Sequence, residues 1–228
     1  MAPFDTKTIA LHKYQEPQVY ATILNLQEQL FNANLLAKQN GAATQNHLII
    51  VEHTPVYTLG KNGKKENLLF DPAKIGADFH EINRGGDITF HGPGQLTIYP
   101  IVDLENLQLG VADFVFKLEE VVIQLLDKYN LKGFRIKEAA GVWLTDGFTT
   151  QKICAVGLKM SRYLTMHGIA INVNTNLKFF QYIVPCGITD KGVTSFEKEL
   201  GKKISLTEIS NLFIAIFEKE FAIKFTND

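Results

Sequence analysis

Hydrophobic residues recur along parts of this chain with the period of an α-helix. In residues 19–30 the apolar positions are spaced by three and four, which predicts an amphipathic helix that ends before Gly41. The same spacing predicts a second helix over residues 113–129. Ser205, followed three residues later by Glu208, forms a capping box and predicts the start of a last helix.

Other segments alternate between apolar and polar residues or form short apolar runs, as strands do. Pro100 lies inside one of these runs. Because proline cannot donate to a neighbouring strand, we expect an edge strand or a bulge there. The three runs between residues 142 and 173 are separated by short turns and predict an antiparallel meander. Strands are predicted at residues 8–14, 47–53, 56–59, 95–103, 142–145, 151–160, 164–173 and 221–225.

These elements predict a mixed α+β fold in which a largely antiparallel sheet packs against helices. A length of 228 residues suits one large domain, and no repeat or flexible linker divides the chain. We therefore expect residues 1–228 to form a single domain. The segment after about Lys198 is the candidate for a small subdomain.

The composition is that of an ordinary globular protein and narrows the possible functions. Apolar residues make up 46% and charged residues 21%, and 23 basic residues against 24 acidic ones give a net charge of -1. We expect no nucleic-acid partner, because the chain is not basic, and no membrane association, because no apolar run approaches ~18 residues. Two cysteines are too few for a disulfide scaffold, and the first residues lack a secretion signal, so we expect a cytoplasmic protein. We expect a monomer, because the chain is long enough to bury its own core.

The segment richest in chemistry is residues 84–95, RGGDITFHGPGQ. Its glycines allow close approach of the backbone to a ligand, with N–H groups turned toward a carbonyl or an oxyanion. A bound acyl group is a natural ligand for such a loop. The alternative is a wide turn in which Asp87 caps its own backbone. The segment has neither the P-loop nor the dinucleotide-binding pattern, so ATP and NAD have no local support.

A lysine inside an apolar strand marks a second candidate site. In QKICAVGLK, residues 151–159, simple alternation places Lys152 on the same face as Cys154 and Val156. Lys152 is either a functional cation or an edge-strand lysine that extends its ammonium group to water. Cys154, flanked by apolar residues, is expected to pack in the core.

Cys186 lies between a proline and a glycine, outside any periodic apolar pattern. A thiol in such a turn is a candidate nucleophile if a nearby cation stabilises its thiolate. Lys152 could supply that cation if the strands fold back. The alternative is a free cysteine that is simply buried.

The six histidines show no metal-binding spacing, so no metal site is expected. His53, His91 and His167 end or interrupt predicted strands, where polar groups can line a site. Each of them alone is also compatible with a structural role.

Residues 60–66, GKNGKKE, form a loop rich in glycine and lysine. The simplest interpretation is the solvated tip of a hairpin. The alternative is a docking patch for an acidic partner, formed by Lys61, Lys64 and Lys65.

With these motifs in view, the chain resembles the octanoyltransferases of lipoate biosynthesis, the lipoyl(octanoyl)-protein transferase family. The matching motifs occur in the family's order over roughly residues 51–195. They are RGGDITFHGPGQ from Arg84, KICAVGLK from Lys152, HGIAINVN from His167 and PCG from Pro185.

The resemblance implies the catalytic-domain fold of biotin and lipoate protein ligases, with the whole chain as one octanoyltransferase catalytic domain. It also implies catalytic roles for Cys186, which would carry the octanoyl group as a thioester, and for Lys152, which would help to ionise it. His53 and Tyr99 are weaker candidates for the pocket wall. The implied acyl-pocket residues are Arg84, Gly85, Gly86, Asp87, Ile88, Thr89, Phe90, His91, Ala155, Val156, Gly157, Gly168, Ile169 and Ala170.

The implied reaction moves the octanoyl group from octanoyl-acyl carrier protein to the acceptor lysine of a lipoyl domain, without cofactor or metal. The implied acceptors are apo lipoyl domains of 2-oxoacid dehydrogenase E2 subunits and the glycine cleavage H protein. The enzymatic alternative is an ATP-dependent lipoate-protein ligase of the same fold. Such ligases do not depend on a cysteine at position 186, so the PCG turn favours transfer. A non-enzymatic alternative is a scaffold that only binds a lipoyl domain or the carrier protein.

Overall fold

The computed structural model describes residues 7–184 and 191–227, which form twelve strands and four α-helices. The helices are α1 (Tyr20–Gln39), α2 (Val111–Asp127), α3 (Phe196–Leu200) and α4 (Leu206–Phe221). The strands are β1 (Thr8–Lys13), β2 (His47–Val51), β3 (Val56–Leu59), β4 (Asp78–Glu81), β5 (Ile88–His91), β6 (Gln95–Ile101), β7 (Phe134–Ile136), β8 (Ala139–Thr145), β9 (Thr150–Ser161), β10 (Leu164–Asn172), β11 (Gly192–Val193) and β12 (Lys224–Asn227).

Nine of these strands form one large sheet in the order β12-β1-β2-β6-β10-β9-β8-β7, with β11 added beside β9. The pairings from β2 to β7 are antiparallel, whereas β1 is parallel to β2 and to β12, and β11 is parallel to β9. Strands β8, β9 and β10 form the predicted meander. The predicted mixed α+β class with a largely antiparallel sheet is confirmed.

Helices cover both faces of the large sheet. On one face, α2 and α4 pack against each other and bury a core that includes Leu118, Val122 and Phe217. On the other face, α1 covers β6 and β10 and buries Ile23 and Phe31. The segment after Lys198 belongs to this body, because α4 packs on α2 and β12 pairs with β1.

A second, three-stranded sheet has the order β4-β3-β5. Its core includes Tyr57 and Phe90, and a 3-10 segment, Leu177–Tyr182, packs on it. Phe90 stacks on Phe179 with ring centroids 4.4 Å apart and planes within 2°. Tyr20 of α1 contacts His80 of β4 and His91 of β5, so the small sheet lies beside the α1-covered face of the large sheet, with a space between the two sheets.

The expected edge position of Pro100 is wrong, because β6 lies inside the sheet between β2 and β10. The β6–β10 ladder runs over Gln95–Ile98 and stops before the proline. There the Thr165 hydroxyl donates to the carbonyl oxygen of Pro100 at 2.7 Å. A side-chain hydrogen bond thus replaces part of the ladder that proline interrupts.

The interpretation of residues 60–66 as a hairpin tip is also wrong. The loop follows β3 and begins a crossover to β4, which runs parallel to β3. Its backbone is tied to the glycine-rich segment, since the N–H groups of Gly60 and Lys61 donate to the carbonyl oxygens of Asp87 (3.2 Å) and Arg84 (3.0 Å).

Candidate functional site

A cavity of about 90 Å³ lies between the two sheets. One ordered water needs roughly 10–15 Å³ on this measure, so the space would take several water molecules or an extended acyl chain. Its walls come from β5, β6, β9 and β10, from the start of α1, and from residues 191–193. The cavity is the candidate acyl site.

Small residues form the floor of this cavity. On the antiparallel pair β9 and β10, Gly157 lies opposite Gly168, and Ala155 lies opposite Ala170. All four positions line the cavity. Because side chains on one face of a strand alternate with those on the other, this face stays open while neighbours such as Ile171 pack into the α2–α4 core.

The glycine-rich segment closes over this floor. The Gly85 N–H donates to the carbonyl oxygen of Leu158 at 2.9 Å, which joins the loop to β9. Asp87 caps its own loop, because its carboxylate accepts from the Ile88 N–H and from Asn67 Nδ2, both at 2.6 Å. The predicted capping by Asp87 is therefore present, in a loop that also lines the cavity.

Arg84 is buried at 8% exposure beside the cavity. Its Nη2 donates to the carbonyl oxygen of Thr58 at 2.7 Å and to the Thr58 hydroxyl oxygen at 2.9 Å. The side chain lies across the floor, since a Cβ added at Gly157 would meet Arg84 Cδ at 3.1 Å. The guanidinium group thus brings a fixed positive charge to the cavity wall.

His91 is held neutral in the wall. Its Nδ1 lies 2.7 Å from Gln95 Oε1, whose amide nitrogen donates to Asn172 Oδ1 at 2.9 Å, so His91 Nδ1 carries the proton. Burial, with smaller contributions from the charges of His53, Arg84 and His167, lowers the pKa of His91 to about 3. This imidazole is therefore uncharged at neutral pH.

A second histidine supports the wall from behind. His53 Nδ1 donates to the carbonyl oxygen of Gln18 at 3.1 Å, so its Nε2 accepts from the Tyr99 hydroxyl at 2.8 Å. Burial lowers the pKa of His53 to about 4. Tyr99 lines the cavity, whereas His53 lies behind it, and Tyr20 stacks near His91 with planes within 4°.

Lys152 lines the cavity on the same side as Ala155 and Gly157, and the predicted shared face with Cys154 is wrong. The reason is a register shift: Val142 pairs with Cys154, but the next residue, Trp143, pairs with Lys152. One extra residue in β9 reverses the alternation at this point. A strand pattern read without its partner cannot reveal such a bulge.

A carbonyl oxygen and an aromatic ring support the ammonium group of Lys152. Nζ donates to the carbonyl oxygen of Ala140 at 3.1 Å, and it lies 4.5 Å from the ring centroid of Trp143. Both a carbonyl oxygen and an aromatic face favour a cation. These contacts hold the lysine as a positive group at the cavity wall.

Of the two cysteines, Cys154 lies within the residues that the structure describes and Cys186 does not. Cys154 is fully buried in the α2–α4 core, and burial raises the pKa of its thiol. Its expected role as a core residue is confirmed. Cys186, with Pro185 and Gly187, lies outside the described residues.

The described residues on either side of that segment are close to the site. Before it, the Val184 N–H donates to the carbonyl oxygen of Asn67 at 2.8 Å. After it, Lys191 lines the cavity and Val193 pairs with Lys152 across β11 and β9. Cys186 is five residues before Lys191 in the sequence. Because each residue spans at most about 3.6 Å, this stretch can span at most about 18 Å.

Of the implied pocket residues, the structure brings twelve to the cavity wall together with Lys152. Gly85 and Phe90 lie next to it instead: Gly85 joins β9, and Phe90 packs in the core of the small sheet. The twelve are Arg84, Gly86, Asp87, Ile88, Thr89, His91, Ala155, Val156, Gly157, Gly168, Ile169 and Ala170.

Sequence reasoning missed several cavity residues. The polar positions Gln95 and Thr97 alternate with apolar ones on β6, and this alternation was a usable signal. Tyr20, Trp143 and Phe180 come from distant segments and carried no such signal.

Among residues 7–184 and 191–227, no group of three or more His, Cys, Asp or Glu side chains could hold a metal ion. In the same part of the chain, no helix combines the length and the apolar character needed to cross a membrane.

Comparison with known proteins assigns the family. Residues 19–218 match the lipoyl protein ligase A/B catalytic domain. The octanoyltransferase of Bacteroides fragilis (strain YCH46) is 48% identical over 194 residues, covering 83% of this chain and 88% of that protein. The octanoyltransferase of Flavobacterium psychrophilum is 43% identical over 226 residues, covering 94% of this chain and 97% of that protein.

Solved structures show the same fold at low sequence identity. Lipoate-protein ligase A bound with ATP has a TM-score of 0.69 at 16% identity, with 97% of this chain and 88% of that chain covered. Biotin protein ligase from Aquifex aeolicus has a TM-score of 0.57 at 14% identity, with 93% and 70% covered. These likenesses concern the fold alone.

The fold, the cavity and these matches define the class: the chain belongs to the lipoyl protein ligase A/B catalytic domain family. Within that family it is an octanoyltransferase. The resemblance stated from the motifs is thereby confirmed, as is the prediction of an enzyme.

Proposed function

We propose that this enzyme takes the octanoyl group from octanoyl-acyl carrier protein as a thioester on Cys186 and passes it to the acceptor lysine of a lipoyl domain. The observation that carries the proposal is Lys152, a lysine fixed on the wall of a cavity whose floor is glycine and alanine. The chain that holds Cys186 re-enters the described structure at Lys191, on the cavity wall, and Val193 pairs with this lysine.

In the first step, the Cys186 thiol has lost its proton to solvent, which the neighbouring Lys152 ammonium favours, and the resulting thiolate attacks the thioester carbonyl of the donor. The new carbon–sulfur bond forms as the carrier's thiolate leaves, and that thiolate recovers a proton. Exchange of one thioester for another is nearly isoenergetic, so no ATP is needed. The Lys152 ammonium also stabilises the Cys186 thiolate between turnovers.

In the second step, the neutral amine of the acceptor lysine attacks the Cys186 thioester. An amide bond forms, the Cys186 thiolate leaves, and the amine loses a proton to solvent, which restores the pair of Cys186 thiolate and Lys152 ammonium. An amide is more stable than a thioester, so this step is downhill and completes the cycle.

The cavity supplies the binding energy for the acyl chain. An octanoyl group has about seven carbons beyond the carbonyl, and at ~0.8 kcal/mol each their burial contributes roughly 5 to 6 kcal/mol. The open face over Ala155, Gly157, Gly168 and Ala170 is the surface on which the chain would lie. Discrimination against a chain one carbon shorter should then be about 1 kcal/mol.

The proposal includes the partners and setting expected from the sequence. The donor is octanoyl-acyl carrier protein, and the acceptors are apo lipoyl domains of E2 subunits and the glycine cleavage H protein. We further propose that residues 1–228 act as one cytoplasmic catalytic domain, as a monomer, with no cofactor, membrane or nucleic-acid partner.

An ATP-free transfer assay tests the proposal. The enzyme is incubated with octanoyl-acyl carrier protein and an apo lipoyl domain, and the mass of the lipoyl domain is measured. We expect one octanoyl group on the acceptor lysine without ATP. A product formed only from free octanoate plus ATP would instead establish the lipoate-protein ligase alternative.

A further inference from the structure

A buried glutamate on α2 reaches the strand that supports Lys152. Glu119 is only 6% exposed, and its Oε1 accepts the N–H of Gly141 at 2.8 Å. Its other oxygen, Oε2, accepts from Arg135 Nε at 3.1 Å. The carboxylate is therefore fixed from both sides, as a buried charge requires.

The N–H that Glu119 holds belongs to the same peptide group as the carbonyl that holds Lys152. The carbonyl of Ala140 and the N–H of Gly141 are the two polar ends of one planar peptide. One end donates to Glu119, and the other accepts from Lys152 Nζ at 3.1 Å. A carboxylate, one peptide and one ammonium group thus form a continuous hydrogen-bonded chain.

The backbone at this peptide is irregular. Gly141 has φ of +125°, and a Cβ there would lie 2.4 Å from the carbonyl oxygen of Cys154. The pairing of β7 with β8 also shifts register between Phe134 and Ile136, opposite this point. Because regular pairing is interrupted on both sides of β8 here, the orientation of the peptide depends on the groups that bond to it.

We propose that Glu119 is a positioning residue for Lys152 and acts through the 140–141 peptide. Its carboxylate fixes the peptide plane, so that the Ala140 carbonyl points at Nζ. Its negative charge also polarises the peptide and strengthens that carbonyl as an acceptor for the ammonium group. The inference rests on the proposed catalytic role of Lys152.

A purely structural role is the competing explanation, since Glu119 also joins α2 to Arg135. The neighbouring Glu120 provides a matched control for that role. Its Oε2 accepts from Arg135 Nη2 at 2.8 Å, while Gly141 bonds to Glu119. Loss of either glutamate removes an ion pair with Arg135, but only loss of Glu119 releases the 140–141 peptide.

The test compares Glu119→Ala, Glu119→Gln and Glu120→Ala in steady-state octanoyl transfer, at a temperature where circular dichroism shows each variant folded. We expect Glu119→Ala to lower kcat about tenfold with KM for the donor unchanged within twofold, because small misplacements of a catalytic group cost this much. Glu119→Gln keeps an acceptor for the Gly141 N–H and should recover kcat to within threefold of the parent. Glu120→Ala should stay within twofold of it.

The inference is overturned if Glu119→Ala and Glu120→Ala have the same kcat, or if Glu119→Gln loses as much kcat as Glu119→Ala. Lys152→Ala, measured in the same series, separates this from a failure of the proposed function. If Lys152→Ala transfers octanoyl groups at the parent rate, Lys152 has no catalytic role, and the part of the proposed function that assigns it one fails. If Lys152→Ala is inactive while Glu119→Ala behaves as Glu120→Ala, only the positioning role fails.

Discussion

Gly157 on β9 and Gly168 on β10 lie directly opposite each other; a side chain would clash with backbone at Gly168 and would make tight contacts at Gly157. A Cβ at Gly168 would lie 2.0 Å from the carbonyl oxygen of Ile98, and one at Gly157 would lie 3.1 Å from Arg84 Cδ. The first contact is with rigid backbone, and the second is with the residue that starts the glycine-rich loop. Gly157 therefore lets the glycine-rich loop come close to the sheet, and Gly168 lets β10 come close to β6 beside the cavity.

The alanine pair beside these glycines should set the length of the acyl chain. Ala170→Val adds two carbons to the floor, which we expect to displace about two methylene groups of the substrate, or roughly 1.6 kcal/mol of burial. The octanoyl-to-hexanoyl ratio of kcat/KM should fall roughly tenfold. The control is Ile171→Val, which changes the opposite face of β10. An equal ratio in both variants would contradict the assignment of the floor.

Cys154 should contribute to stability and not to chemistry. Cys154→Ala leaves a small cavity in the α2–α4 core and should lower the free energy of unfolding by about 1 kcal/mol, while octanoyl transfer is retained. Cys186→Ala should abolish transfer and leave the denaturation midpoint close to the parent value. Urea denaturation and transfer assays on both variants check this pair of outcomes, and loss of transfer in both would refute it.

Lys152 should promote the ionisation of Cys186. Removing a neighbouring ammonium group disfavours a thiolate, so Lys152→Ala should move the pH of half-maximal alkylation of Cys186 upward. Lys159, on the same strand, lies over the ring of Phe31 and serves as the matched control. Rates of iodoacetamide labelling between pH 6 and 10 provide the measurement. A profile for Lys152→Ala that overlaps that of Lys159→Ala would argue against the pair.

The loop of residues 60–66, which is rich in lysine, should contribute to docking of the carrier protein. Replacing Lys61, Lys64 and Lys65 with Glu should raise KM for octanoyl-acyl carrier protein and weaken the dependence of this KM on salt concentration. The rate with a small octanoyl thioester, which has no carrier protein, should stay unchanged. Lys65 already pairs with Glu81 at 2.7 Å, so Lys61 and Lys64 should carry most of the effect.

The control for this loop is an equal charge reversal at Lys128, Lys132 and Lys219, which lie on or after the helices of the opposite face. Both sets are compared with both donors at two ionic strengths. Equal slowing with the two donors would indicate a distorted site, and an unchanged KM would rule out the docking role.

Three buried histidines should make the fold sensitive to acid. Burial lowers the pKa of His53 to about 4 and those of His91 and His167 to about 3, whereas an unfolded histidine titrates near 6.5. Between these values the unfolded chain binds more protons than the folded chain, so stability falls as pH falls from about 6.5 toward 4. Each group contributes a slope of up to about 1.4 kcal/mol per pH unit.

One substitution isolates a single histidine in this acid response. His91→Asn keeps a donor for Gln95 and should reduce the slope by about one proton. Urea denaturation at several pH values between 4 and 7.5 measures the slope. Identical slopes in the parent and His91→Asn would contradict the neutral state of His91.

The sequence predicted the elements that rest on local periodicity. The meander of β8 to β10, the Ser205 cap at the start of α4 and the core position of Cys154 follow from alternation, helix-cap chemistry and apolar flanks. Most residues of the cavity wall were predicted from the family motifs. Their spacing alone did not predict them, because glycine, alanine and arginine in a loop are also compatible with a plain turn.

What the sequence could not reveal depends on strand register and tertiary packing. The bulge that turns Lys152 away from Cys154 exists only in the pairing of β9 with Val142 and Trp143. Glu119 lies in a helix whose neighbours are core residues, and its bond to Gly141 depends on how α2 packs against β8. The spacing of apolar residues along the chain predicts neither the bulge nor this hydrogen bond.

The most direct measurement of the central claim is the mass of the enzyme after incubation with octanoyl-acyl carrier protein and no acceptor. We expect one octanoyl group on the peptide that contains Cys186, removed by neutral hydroxylamine as thioesters are. The adduct should be present in Cys154→Ala and absent in Cys186→Ala. No adduct on the parent enzyme, or an adduct that persists in Cys186→Ala, would contradict transfer through a Cys186 thioester.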